Sequence, residues 1–468
     1  MKTTRRDFII KSGMAGLVPL LIPEELFSFN QPAIVTRRDV NQPNAANDLA
    51  TYVRGVTLLK NLPANDARNW ENLALIHVNF CPHGNWYFLP WHRAYLQCLE
   101  KIIRDVTATP TFALPYWDWT TNRSIPAPFW NGTLMDATRE VTQVSKLPDE
   151  SVGKAKVMDG IFKETVFELF GSFMPRNQNS IDPSWQRGRG TKSTLEHTPH
   201  DDVHVWISGN MGAMFSPRDP IFWLHHCNID RVWADWNSRG RSNSNNAFWK
   251  TFVFRGNFVD PQSAKYDVTV GDMESTTALG YTYPNINPVA AEVIASSTDF
   301  MSMAFSRKFA FTQLTTATLQ EDGLLSVPIT KSAVAEANTL KLNTPKQRRI
   351  LAIVKNVTPP ADPNVRVRVF MNCPYLKPTT PADDAHYVGS LSFFAAAHVD
   401  HNQHGGGQAE GFSYVFDLTN TISKLNQAKA GIVAEQIDIQ LIPVPLENNK
   451  AVAESAEIKF DGAEIVFL

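Results

Sequence analysis

The stretch Asp219-Pro220-Ile221-Phe222-Trp223-Leu224-His225-His226-Cys227-Asn228-Ile229-Asp230-Arg231-Val232-Trp233 decides how this chain is read. A capping aspartate followed at once by proline starts a helix, because the missing proline N–H falls where no intrahelical partner exists. The pattern runs to about Trp236 and carries a histidine pair in its second turn. Toward the N-terminus, Thr198-Pro199-His200 opens another helix in which His200 and His204 are four residues apart. That spacing stacks two imidazoles on one face, one turn apart, so both reach one ion. His83 and His92 flank Pro90, which opens a helix running to about Asp105. His83 therefore lies on a loop and His92 in a first helical turn. His77 lies near the end of a helix from Trp70 to Val78 that Asn69 caps.

Two groups of three imidazoles from paired helices describe a metal site in a bundle core, with ligands projecting inward. Histidine-only donors suit copper or zinc, and sometimes iron or nickel. A lone three-histidine set fits zinc, whereas two sets in one helical core point to a binuclear centre.

The rest of the chain frames this core. Its 468 residues are 43% hydrophobic and 19% charged, ordinary globular values that allow more than one hydrophobic core. A formal net charge of -2 gives no reason to expect a nucleic-acid surface or a polybasic membrane patch. Four scattered cysteines form no disulfide framework, and Cys98, Cys227 and Cys373 read as small buried hydrophobes.

At the N-terminus, Arg5-Arg6-Asp7-Phe8 precedes an apolar run from Met14 to Ile22 that is too short to span a bilayer. It resembles a twin-arginine signal, so residues 1–27 read as an export address to the periplasm or beyond. Residues 28–285 read as the helical metal domain and 286–345 as a Thr-, Ser- and Ala-rich linker. In 346–468, alternating runs such as Val365-Arg366-Val367-Arg368-Val369-Phe370 predict a C-terminal β-sandwich. His398, His401 and His404 lie on a Gly-rich stretch that reads as a solvated loop, with copper capture as the lesser alternative.

The strings His77-x-x-x-Cys81-Pro-His83 with Phe88-Leu89-Pro90-Trp91-His92-Arg93, and Thr198-Pro199-His200-x-x-x-His204 with the opening stretch, resemble the two copper motifs of tyrosinases, catechol oxidases and molluscan haemocyanins. Leu114-Pro115-Tyr116-Trp117-Asp118-Trp119 and Tyr281-Thr282-Tyr283 resemble supporting strings of the same family, and the C-terminal segment looks like the β-rich domain of plant-type polyphenol oxidases. The resemblance implies a mainly α fold, a four-helix-bundle type-3 copper core followed by a C-terminal β-sandwich domain. It implies two copper ions, one held by His77, His83 and His92 and one by His200, His204 and His226.

The same resemblance implies a thioether between Cys81 and His83, a water held by Glu196, and a base at Asp201. Thr198-x-x-Asp201 reads equally as a capping-box-like pattern. Met214 aligns with the residue that roofs the substrate pocket, beside Val205 and His225. The implied activity is oxidation of o-diphenols to o-quinones by O2, with ortho-hydroxylation of monophenols in view and o-aminophenol oxidation or reversible O2 binding as alternatives. The partners are then a phenolic small molecule and O2, and the C-terminal domain is expected to cover the pocket.

Overall fold

The computed structural model describes residues 34–286, 307–319, 321–341, 348–360, 364–394, 411–446 and 457–468. In the N-terminal half, the helices that frame the histidines are α1 (Ala46–Lys60), α2 (Trp70–Phe80), α3 (Phe88–Val106), α4 (Asp201–Ile207) and α5 (Ile221–Ser238). Helix α2 begins where expected, with the Asn69 side chain accepting from the Glu71 N–H at 2.9 Å. It stops at Cys81, since Pro82 disfavours helical geometry in the residue before it. Helix α3 is buried almost all round from Phe88 to Ile103, which marks it as the central helix of the bundle. Asp219 caps α5 by accepting from the Ile221 N–H at 3.1 Å, and Arg139 grips the same carboxylate at 2.5 and 2.7 Å.

The ends of this half are tied together through charge. Val35–Thr36 pairs in parallel with Tyr281–Thr282. Arg37, on the first of these segments, reaches Glu100 of α3 at 2.9 Å and Asp230 of α5 at 3.1 Å. Arg93 meets the other oxygen of Asp230 at 2.5 Å, and the Tyr281 and Tyr283 hydroxyls donate to Asp230 at 2.7 and 2.5 Å. The network is buried, so removing one partner leaves an uncompensated charge at a cost of about 3–5 kcal/mol.

Val253–Val259 pairs antiparallel with Lys265–Thr269, and the strands of the two larger sheets are β1 (Thr191–Lys192), β2 (Arg307–Ala317), β3 (Gly323–Pro328), β4 (Ile350–Val357), β5 (Val365–Met371), β6 (Tyr387–Leu391), β7 (Phe412–Asp417), β8 (Gln436–Pro445) and β9 (Ile458–Phe467). They form a four-stranded sheet in the order β6-β5-β8-β3 and a five-stranded sheet in the order β1-β7-β4-β9-β2. Alternation in β8 sends Ile437, Ile439 and Leu441 into the core they share with Val365, Val367 and Val369. The C-terminal strands begin earlier than the sequence suggested. Strands β2 and β3 lie inside the stretch read as a linker over 286–345, and β2 pairs with β9 along its length. Its Thr- and Ala-rich composition hid an edge strand whose outward face needs no apolar residues.

The helical half also enters the sandwich, since β1 pairs in parallel with β7. Arg366 of β5 is fully buried at this seam, 2.6 Å from Glu150 and 2.9 Å from Asp202 of α4. The segment between α3 and α4 includes two short helices, Asp159–Lys163 and Phe167–Gly171.

Candidate metal centre

The structure gathers His77, Cys81, His83 and His92 into one buried cluster and His200, His204, His225 and His226 into another; within each, the candidate donor atoms lie within 4.8 Å of one another. The clusters face each other: His92 stacks on His226 with centroids 4.1 Å apart and 9° between planes, and His83 lies 5.7 Å from His200. Phe88 and Phe222 pack edge-on or tilted against these rings.

Hydrogen bonds at the outer nitrogens select which ring nitrogen faces inward. Nδ1 of His77 pairs with the Met214 carbonyl at 2.7 Å, that of His92 with the Phe88 carbonyl at 2.8 Å, and that of His204 with the Met211 carbonyl at 2.7 Å. A carbonyl only accepts, so Nδ1 carries the proton in each ring and Nε2 keeps its lone pair. Nδ1 of His200 instead meets Asp201 Oδ1 at 2.9 Å. His200 Nε2 is buried with no hydrogen-bond partner, and the Nε2 atoms of His204 and His226 converge to 3.1 Å. Lone pairs brought together in a buried site fit metal cations, and with imidazoles as the main donors they fit copper.

Electrostatics agree with that fit. Burial, reinforced by the neighbouring imidazoles, pushes His83, His92, His200, His204 and His226 well below the ordinary histidine range. They are therefore neutral, the form that binds a metal. Burial alone lowers His225 to about 3, and neither of its nitrogens has a hydrogen-bond partner.

Other residues singled out in the sequence occupy defined places. Cys81 Sγ lies 3.3 Å from His92 Nε2 and 3.7 Å from His83 Nε2, and the remaining three cysteines are buried thiols. Glu196 is buried with both oxygens engaged, by the Gly84 N–H and by the Ser172 hydroxyl, each at 2.5 Å. Asp201 does not form the capping box. Thr198 is extended and donates its hydroxyl to the Ser390 carbonyl at 3.0 Å, while Asp201 Oδ2 accepts from the buried Lys192 ammonium at 2.6 Å. A buried cation binds that carboxylate more strongly than a helix N-terminus does. Burial raises both carboxyls against the opposing pull of Lys192. Met214 is buried and orients His77 through its carbonyl. His398, His401 and His404 lie outside the described residues.

Two residues carried no signal in the sequence. Phe394, from the C-terminal half, lays its ring over His204 and packs with Val205 and Leu446. Lys192, on β1, sits between Asp201 and the Phe394 carbonyl, 3.2 Å from the latter. Neither belongs to a local motif, and only tertiary pairing brings them to the site.

Residues 61–186 and 167–239 match the family described as the common central domain of tyrosinase, and residues 291–461 match one described as Domain of unknown function (DUF7868). A chloroplastic polyphenol oxidase of Vitis vinifera is 32% identical over 288 residues, covering 51% of this chain and 45% of that protein. A tyrosinase of Hahella sp. (strain CCB-MM4) is 26% identical over 451 residues, 87% of this chain and 90% of its own length. The matches thus span about half the length of plant relatives and nearly all of this bacterial one. Among solved structures, latent apple tyrosinase superposes with a TM-score of 0.65 at 21% identity, over 93% of this chain and 97% of that one. A latent aurone synthase gives 0.67 at 18% identity, over 93% and 90%. At these identities the likeness is one of fold, and it extends across both halves.

Proposed function

The chain belongs to the tyrosinase and polyphenol oxidase family, and from that premise we propose that it oxidises o-diphenols to o-quinones with O2 at two copper ions. The observation that carries this reading is the convergence of buried, neutral imidazoles in two facing clusters. His77, His83 and His92 would hold one copper, and His200, His204 and His226 the other. Bound copper supplies the O2 chemistry and accepts the electrons, while the chain orients and shields.

The protein's own part starts with the backbone carbonyls of Phe88, Met211 and Met214, which fix three imidazoles before any metal arrives. Phe88 and Phe222 pack against the imidazoles and give the site apolar walls. The space filled by Phe394 is flanked by His83, His200 and His204 and suits an aromatic ring, so a phenolic substrate would bind there once that side chain leaves. The C-terminal half therefore shields the site, and the full chain is latent. Met214, Val205 and His225 would border the opened pocket. Glu196 and Asp201 are each held by other protein groups, which favours diphenol oxidation over the hydroxylation of monophenols.

The twin-arginine stretch lies among residues outside the description, and export by that route is part of this proposal. No helix among the described residues is long and apolar enough to cross a membrane.

Copper content measured together with O2 uptake on catechol, a monophenol and an o-aminophenol tests the assignment. Two coppers per chain and steady uptake with catechol, after removal of the C-terminal half, are expected. Reversible colour with O2 and no turnover would make it an oxygen carrier; preference for the o-aminophenol would move the substrate class; zinc in place of copper would overturn the reading.

A further inference from the structure

We infer that Lys192 is a positioning residue that holds the Asp201 carboxylate against His200 and so sets how tightly the second copper is bound. This rests on the assignment of His200 as a copper ligand. Among the proposed ligands with a hydrogen-bonded Nδ1, His77, His92 and His204 use backbone carbonyls, which the fold itself holds in place. Only His200 uses a side chain, Asp201. A carboxylate next to an imidazole orients it only while its own rotamer is fixed, so His200 depends on whatever holds Asp201.

Lys192 is built for that task. Its strand β1 is two residues long, yet it is fixed on both sides. Thr191 and Lys192 pair with Ser413 and Tyr414 of β7. The flanking Gly190 N–H donates to the Gly84 carbonyl at 2.8 Å, and the Ser193 N–H donates to the Ser172 hydroxyl at 3.1 Å. The ammonium is fully buried and donates to Asp201 Oδ2 at 2.6 Å and the Phe394 carbonyl at 3.2 Å, with Glu196 Oε1 at 4.0 Å and the Phe412 ring at 4.5 Å. A buried ammonium with a short contact to one carboxylate oxygen leaves the other oxygen a single direction, the one His200 Nδ1 uses. Lys192 thus joins the orientation of His200 to the backbone of the residue whose ring fills the site.

The test is copper affinity, read by chelator competition on the full-length protein, with circular dichroism of the metal-free form as a check on folding. Lys192→Met is expected to weaken one of the two coppers by about 10- to 100-fold and leave the other unchanged. Lys192→Arg, which keeps the cation, is expected to recover most of that loss. The double variant Lys192→Met with Asp201→Asn is expected to bind more tightly than Lys192→Met alone, since the amide oxygen accepts from His200 without needing a cation. Two coppers bound by Lys192→Met with unchanged affinity would overturn the inference. So would equal weakening of both coppers that neither the arginine nor the double variant relieves, which marks a merely structural lysine. A wild-type chain that binds no copper fails at an earlier step and overturns the functional reading itself.

Discussion

The ring of Phe394 lies 3.8 Å from the imidazole of His204, centroid to centroid, with only 18° between their planes. It stands edge-on to His83 and His200 at 5.1 and 5.5 Å. On the proposed reading of the site, a substrate ring has to displace it. Aromatic contact of this kind is worth about 0.5–1.5 kcal/mol beyond burial, and burial of the side chain adds about 1.5–3 kcal/mol. Phe394→Ala in the full-length chain is therefore expected to raise kcat/KM for catechol roughly tenfold or more, at unchanged copper content. An O2 electrode and a copper assay measure both quantities. No change in kcat/KM with copper intact would show that another barrier keeps substrate out.

Four histidines crowd the second cluster, but a three-imidazole site uses three of them. His226 Nε2 points at His204 Nε2 from 3.1 Å, and its ring stacks on His92 across the centre. His225 stacks on His200 at 5.5 Å and leans toward Trp119, with both nitrogens unpartnered. His226→Ala is expected to lose about one copper per chain, whereas His225→Ala keeps two and changes substrate preference instead. Atomic absorption on the two variants decides between them. The reverse pattern would make His225 the ligand.

What the sequence could and could not reveal follows from the range of each interaction. Helix starts at Asn69 and Asp219, and the His200/His204 pair, are local and were legible as caps and spacing. The acceptors that fix His77 and His204 are backbone carbonyls of Met214 and Met211, and a carbonyl leaves no mark on residue identity. Thr198 and Asp201 obeyed a local capping pattern that a buried lysine outside that pattern overrode. The linker was misread for a related reason: β2 gains its stability from pairing with β9, not from its own composition.

Cys81 supplies the next test. Its Sγ is buried and within 3.7 Å of His83 Nε2, and burial pushes its thiol well above the ordinary range. An unreacted thiol would alkylate once the chain is denatured, whereas a thioether would not. The expected result for copper-loaded, air-exposed protein is a chain two hydrogen atoms lighter, with Cys81 resistant to alkylation and a cross-linked Cys81–His83 peptide in tandem mass spectrometry. Full alkylation of Cys81 in that sample would rule the bond out.

The seam between the two halves makes a prediction about acid. Glu150 lies 2.6 Å from Arg366 and 2.8 Å from Arg368. Burial pushes its carboxyl up, but the Arg368 hydrogen bond and the two guanidinium charges outweigh burial and hold it below the ordinary glutamate value. A carboxyl lowered by folding binds fewer protons in the folded chain than in the unfolded one. Its stabilisation is complete above the unfolded value of about 4.3 and is lost as the pH falls through the folded value. Glu150→Gln removes this titration and one of the two carboxylates, Glu150 and Asp202, that face Arg366. At neutral pH the variant is expected to be less stable by about 3 kcal/mol, since one partner of a buried ion cluster is gone. Between about pH 5 and pH 3 its urea midpoint is expected to fall less steeply than that of the wild type. Urea titrations across that range measure both effects, and parallel slopes for the two proteins would mean that Glu150 does not couple protonation to the closure of this seam.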